Sequence, residues 1–173
     1  LPGSKNTLFD LRYLHESGIA EKLKQLSGRV WILGICGGFQ MLGEKVDDPL
    51  NMESAGMYDE SIKSGTSGKP GTAEKCAASA NSAVSNSESG LGLLRMTTFL
   101  EGDKKLVRRE YQGENWLAGL TWTGYEIHLG RTEFKSSPLE PLVKNDPELA
   151  VIDRKQKVIG TYIHGWLESP KVT

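Results

Sequence analysis

Arg29-Val30-Trp31-Ile32-Leu33-Gly34-Ile35-Cys36-Gly37-Gly38-Phe39-Gln40-Met41-Leu42-Gly43 decides how this chain is read. A short β-prone apolar run enters a Gly-x-Cys-Gly-Gly turn, and helix-compatible sequence follows. The pattern predicts a strand over 29–34, a helix over 38–44 and a nucleophile elbow between them, with cysteine where hydrolases often place serine. A nucleophile on so sharp a turn occupies a strained backbone region, and neighbours without Cβ let the chain turn and a substrate approach. A helix starting behind Cys36 aims its first N–H groups at the sulfur, which favours thiolate over thiol. Free cysteine usually acts as a small buried hydrophobe, but such a residue has no need of Gly34, Gly37 and Gly38 around it. Cys36 is therefore read as a nucleophile that works through a covalent acyl-enzyme.

A thiol nucleophile needs a base, and the chain has three histidines. His15 sits in a polar segment, Asp10 to Gly18, that reads as a solvated helix face. His128 lies in Gly124-Tyr125-Glu126-Ile127-His128-Leu129-Gly130-Arg131-Thr132. His164 ends the β-branched run Val158-Ile159-Gly160-Thr161-Tyr162-Ile163 and enters a turn at Gly165. A histidine at the C-terminal end of a strand is where α/β enzymes present catalytic groups. His164 lies 128 residues after the cysteine, a separation that fits a Cys/His pair adjacent only in space. It is the preferred base, with His128 as its rival.

The order of elements predicts an α/β domain with a mixed sheet. Residues 8–26 carry leucines and isoleucine mostly at three- and four-residue spacing, a helix that Gly18 can break. Residues 91–99, 104–111, 116–122 and 124–129 read as strands. Residues 148–154 and 157–163 read as a hairpin delivering His164. Trp116, Trp122 and Trp166 are assigned to the core or the wall of the site. Residues 55–89 are rich in Ser, Gly, Ala and Asn. They cannot bury enough apolar surface to offset an ordering entropy of roughly 1–2 kcal/mol per residue, so they read as a low-complexity surface-loop insertion, with Cys76 incidental.

Taken together, the elbow, Gly-Thr-Tyr-Ile-His-Gly around His164, the Gly124–Thr132 block and the opening Leu1-Pro2-Gly3-Ser4-Lys5-Asn6-Thr7 resemble the glutamine amidotransferase domains of the cobyric acid synthases. These enzymes amidate carboxylates of the corrin ring in cobalamin biosynthesis. The resemblance covers nearly the whole chain outside roughly 55–89. It implies a class I glutamine amidotransferase fold, with a mostly parallel mixed sheet and helices on both faces. It further implies that Cys36 attacks the side-chain amide of glutamine, leaving a γ-glutamyl thioester and releasing ammonia, with His164 moving the protons. The N–H of Gly37 and the backbone near Gly3 and Ser4 would form the oxyanion hole, and Gln40 would contact the bound glutamine. An exposed polar helix residue is the equally good reading of Gln40. Glu126, His128 and Arg131 would line or brace the site without an assigned chemical role.

The resemblance also sets limits. Many class I amidotransferases place Glu two residues after the histidine, whereas here Gly165 and Trp166 follow His164 and the first acid is Glu168. The family domain begins before Leu1 and continues beyond Thr173, so the chain reads as one glutaminase domain truncated at both ends. A complete synthase adds an ATP-binding synthetase domain, and no Gly-x-x-x-x-Gly-Lys-Ser/Thr loop occurs here. ATP and Mg belong to that other domain, and no cofactor or metal is expected in this one. Related amidotransferases acting on cobyrinate or lipid II isoglutamate, and a silent binding domain using the old site, are the alternatives.

Composition is compatible with this. With 173 residues, 38% hydrophobic content and net charge −1, the chain can bury a sizeable core and carries no basic excess to suggest nucleic acid. Two cysteines make no disulfide framework and point to a reducing, cytoplasmic setting. No apolar run approaches the roughly 20 residues that span a bilayer.

Overall fold

The computed structural model describes residues 1–55, 86–135 and 139–168. Its first element, helix α1 (Thr7–Glu16), is capped by Asn6, whose Oδ1 accepts the Phe9 N–H at 2.9 Å. Leu8, Leu11 and Leu14, one turn apart, form its buried stripe. Gly18 adopts φ 76°, a left-handed conformation that ends this helix and starts α2 (Ile19–Leu26). The break expected within the amphipathic run is thus real.

Strand β1 (Ile32–Ile35) leads through Cys36 into α3 (Gly37–Met41), every residue of which is buried. Next come β2 (Lys45–Asp48), a short α4 (Met52–Ala55), β3 (Asn86–Ser89), β4 (Met96–Phe99) and β5 (Lys105–Gln112). The remainder comprises β6 (Thr121–His128), β7 (Arg131–Phe134), β8 (Glu140–Pro141), β9 (Ala150–Asp153), β10 (Val158–Thr161) and β11 (Ile163–His164). Single 3-10 turns span Asn115–Leu117 and Trp166–Glu168.

Three sheets result, ordered β1-β10-β9-β8, β11-β6-β5 and β3-β2-β4-β7. The α/β class and the mixed sheets are those expected. Parallel pairing among the described residues is confined to β1–β10 and β2–β4, however, and the other ladders are antiparallel. Short connections account for the β5–β6, β8–β9 and β9–β10 ladders, since a parallel neighbour needs a long crossover; β2–β3, β4–β7 and β6–β11 are antiparallel across long connections. Strand β1, which leads into Cys36, is still a parallel strand, in register Ile35↔Thr161.

Several expected boundaries shift. The two runs 116–122 and 124–129 are one strand, β6, preceded by a 3-10 turn that buries Leu117 and turns Trp116 outward. Trp116 is half exposed and stacks on Trp31 at 5.5 Å, while Trp122 and Trp166 are buried as expected. The segment 91–94 is no strand. Its N–H groups bond the carbonyls of Met41, Leu42 and Gly43, so it closes the C-terminal end of α3 instead of a ladder. Within the expected loop 55–89, Asn86–Ser89 pairs antiparallel with β2 through backbone bonds that polar side chains do not prevent; residues 56–85, Cys76 included, lie outside the described residues.

The core runs continuously from α1 through α3 to the sheets. At its centre Phe39 is fully buried, its ring 4.8 Å from Tyr162 and pressed against Gly160, where an added Cβ would lie 1.9 Å from the ring. Phe39→Ala should cost about 3–5 kcal/mol of stability, read as a lower denaturation midpoint in urea. A loss under 1 kcal/mol would mean that the cavity collapses and Phe39 is no keystone.

Candidate active site

Cys36 sits at φ 53° and ψ −114°, the strained turn expected of an elbow. Three backbone bonds hold it there. Its N–H donates to Thr161 O at 2.8 Å, the Ile35 N–H to Leu1 O at 3.0 Å and the Gln40 N–H to Cys36 O at 3.1 Å. The opening segment closes over the turn. A Cβ on Gly37 would come within 2.8 Å of Ser4 N, and one on Gly38 within 2.2 Å of Leu1 O. The elbow glycines are thus required by the close approach of Leu1–Ser4.

His164 reaches the same place from another sheet. After β10 the chain changes sheets at Tyr162, whose N–H donates to Leu149 O at 2.8 Å and whose carbonyl accepts the Ile127 N–H at 3.2 Å. Strand β11 then pairs with β6, placing His164 opposite Tyr125. Gly3 lies beside both residues: a Cβ there would be 3.6 Å from Cys36 Cβ and 3.9 Å from His164 Cε1. The buried Nε2 of His164 has no hydrogen-bond partner among the described residues. The thiol of Cys36 donates to Ile127 O at 3.1 Å. Glu168 is exposed, so no acid replaces the missing third member of the triad there.

His128, the rival base, has both ring nitrogens engaged, Nδ1 with Gly130 O at 3.1 Å and Nε2 with Glu126 Oε1 at 3.1 Å. Its ring also stacks on Tyr162 at 4.2 Å. Glu126 is completely buried and binds Lys105 at 2.6 Å and Arg109 at 3.2 Å as well. Arg109 in turn bonds Asp146. Burial pushes the Glu126 carboxyl up, but Lys105 and His128 outweigh it and hold it below the ordinary value of 4.5. The two residues thus brace the β6 end whose carbonyls at Ile127 and Leu129 face Cys36 and Gln40. Arg131 does not join them; it is a surface residue paired with Glu101 at 3.2 Å and with Glu133. His15 is also remote, bonded to Ser89 O at 2.8 Å.

Gln40 is buried, which removes its reading as an exposed residue. Its Nε2 donates to Leu129 O at 2.9 Å and its Oε1 accepts from Thr7 Oγ1 at 3.3 Å. Beneath it, Tyr162 Oη bonds Thr132, and burial pushes this phenol up to about 12 against the pull of its Thr132, Thr98 and Gln40 hydrogen bonds.

A cleft of about 640 Å³ opens over the sulfur. Besides Cys36, Gln40 and His128 it is lined by Lys5 of the opening motif and by Glu53 and Lys104, two charged residues that motif reading did not single out. Lys104 lies in a polar stretch without a pattern, and Glu53 at the margin of the Ser/Gly-rich segment, so neither carried a local signal. Burial raises the Cys36 thiol above its ordinary value of 9.0, with the Gly37 N–H and the Lys104 charge pulling the other way. The thiolate bias expected from the helix start is therefore present but outweighed.

The fold is that of an α/β domain whose strand-to-helix turn presents a cysteine to an open cleft. The CobB/CobQ-like glutamine amidotransferase domain family matches residues 1–66 and 73–172, and the chain belongs to this family. Among its relatives, the cobyric acid synthase of Vibrio vulnificus (strain YJ016) is 36% identical over 98% of this chain and 29% of the relative. That of Gloeobacter violaceus (strain ATCC 29082 / PCC 7421) is 38% identical over 98% of this chain and 28% of the relative. The Clostridium botulinum (strain Okra / Type B1) enzyme is 36% identical over 95% and 29%. The chain thus spans less than a third of the length of these relatives. No helix among the described residues is long and apolar enough to cross a membrane.

Two outcomes are expected from this electrostatics. Iodoacetamide alkylation of Cys36 should keep rising through and above pH 9.0; a plateau already reached at pH 7 would show a thiol that burial does not hold up. Because the Glu126 carboxyl is lowered on folding, its contribution is present above 4.5 and lost as pH falls through its folded value. Glu126→Gln should therefore lower stability at pH 7 by about 1–3 kcal/mol, and the gap to the native protein should close on acidification. A gap that widens toward acid would refute the ion-pair account.

Proposed function

We propose that this chain is the glutaminase unit of a cobyric acid synthase, hydrolysing glutamine through a thioester on Cys36. The observation that carries the reading is the convergence of Cys36 and His164, from two different sheets, on Gly3. The free Nε2 of His164 takes the thiol proton once the sulfur turns from the Ile127 carbonyl. The sulfur then attacks the amide carbon. The oxyanion meets the N–H of Gly37 and the backbone of the Gly3–Ser4 loop. His164 returns its proton to the nitrogen as the C–N bond breaks, and ammonia leaves. Water attacks the thioester with His164 as base, releasing glutamate and restoring the thiol. His128 is the weaker base because both its nitrogens are already bonded. Gln40 holds the floor of the site through Thr7 and Leu129 and presents its remaining valences to substrate.

Ammonia is the product that a synthetase would consume. The names of the relatives support cobyric acid synthesis as the setting; a corrin carboxylate as the acceptor, and ATP and Mg used in a synthetase part outside this chain, complete the proposal. A glutamine unit serving another acceptor differs only in that partner.

Cys36→Ser and His164→Ala should each lower glutamine hydrolysis by several orders of magnitude, with His15→Ala unchanged. Labelling with 6-diazo-5-oxo-norleucine should give a single adduct on Cys36, blocked by glutamine. Full activity in His164→Ala would sink the dyad.

A further inference from the structure

We infer that Glu53 is the specificity residue that receives the α-ammonium group of the substrate, so that the cleft selects a free α-amino acid amide. The inference rests on the glutaminase reading above. Among the described residues that line the cleft over Cys36, Glu53 is the only carboxylate, and Lys5 and Lys104 are the cations. Free glutamine carries one charge of each sign on its head group and a neutral amide at its other end. A cleft with a thiol, one anion and separate cations matches that distribution of charge.

Glu53 is also fixed, as a recognition group must be. Its two oxygens accept the N–H groups of Thr7 at 2.8 Å and Leu8 at 3.0 Å, where the free end of α1 attracts negative charge. Its own helix is anchored by buried Asp48, which accepts the Met52 N–H at 2.7 Å and the Glu53 N–H at 3.1 Å. One carboxylate therefore caps the helix that bears the next carboxylate. Each oxygen of Glu53 keeps a lone pair beyond these bonds, and the residue borders the cleft. Thr7 ties it to the nucleophile helix, since its side chain bonds Gln40, one turn past Cys36. An ammonium there gains a charge-assisted hydrogen bond. A glutamine residue acylated on its nitrogen presents no cation and is refused.

The test compares L-glutamine with glutaramic acid, which is glutamine without its α-amino group. The native protein should prefer L-glutamine in kcat/KM by about 10–100-fold, the range expected for one charge-assisted contact. In Glu53→Gln, which keeps an oxygen for the helix N–H groups, the L-glutamine value should fall by about that factor while the glutaramic acid value holds. An equal fall for both substrates would make Glu53 a helix cap and no more, and overturn the inference. Equal use of both by the native protein would overturn it without any variant, so a folding defect does not shield it. Iodoacetamide alkylation of Cys36 at the native rate verifies that the variant's site is intact. If neither substrate is turned over and Cys36 takes no diazo-oxo-norleucine adduct, the glutaminase reading itself falls and takes this inference with it.

Discussion

A backbone held at φ 53° on Cys36 is the constraint around which this domain is arranged. Such a conformation costs of order 1–3 kcal/mol and persists only where its surroundings over-determine it. Here the surroundings are specific. β10 supplies the acceptor for the Cys36 N–H, α3 begins at once behind it, and the Leu1–Ser4 segment lies so close that no side chain fits on Gly37 or Gly38. The same contacts that hold the strain deliver Gly3 to the sulfur and the imidazole. The strained turn, the opening segment and Cys36 are one packed unit.

A second layer of polar contacts lies under this unit. Gln40, Thr7, Thr132, Thr98 and Tyr162 form a buried network, and Glu126 gathers Lys105, Arg109 and His128 behind β6. Buried polar groups are stable only when satisfied, and these bonds use side chains from two sheets, from α1 and α3 and from Tyr162. Their effect is to fix the carbonyls of Ile127 and Leu129, which in turn hold Cys36 and Gln40. The residues of the Gly-Tyr-Glu-x-His block act through the backbone they brace.

The elbow, the two-part amphipathic helix and the hairpin before His164 were legible in the sequence because each is written in local pattern: glycine placement, three- and four-residue spacing, β-branched runs. The parallel share of the sheets was not legible, because pairing partners are chosen across long separations. Leu91–Leu94 looked like a strand because apolar composition does not distinguish a ladder from a segment that closes a helix end. Asn86–Ser89 looked like loop because its bonds are made by backbone, which polar composition does not record. In the site, Cys36 and His164 could be picked out by type and rarity, whereas Glu53, Lys104 and the outward turn of Arg131 depend on which chain segments meet in space.

Tyr162 is the point where the chain passes from the sheet that leads to Cys36 to the sheet that carries His164. Cys36 and His164 thus belong to different sheets, which the chain joins at Tyr162 and the Gly113–Val143 bridge ties together at a second point. Sliding one sheet over the other by an ångström would alter the sulfur–imidazole distance while leaving every helix and strand intact, and a displacement of that size can cost about a hundredfold in rate. Activity in such an architecture is set by the alignment of two rafts as much as by the chemistry each one bears. Whatever grips both rafts at once holds a throttle on the reaction without touching either reacting atom.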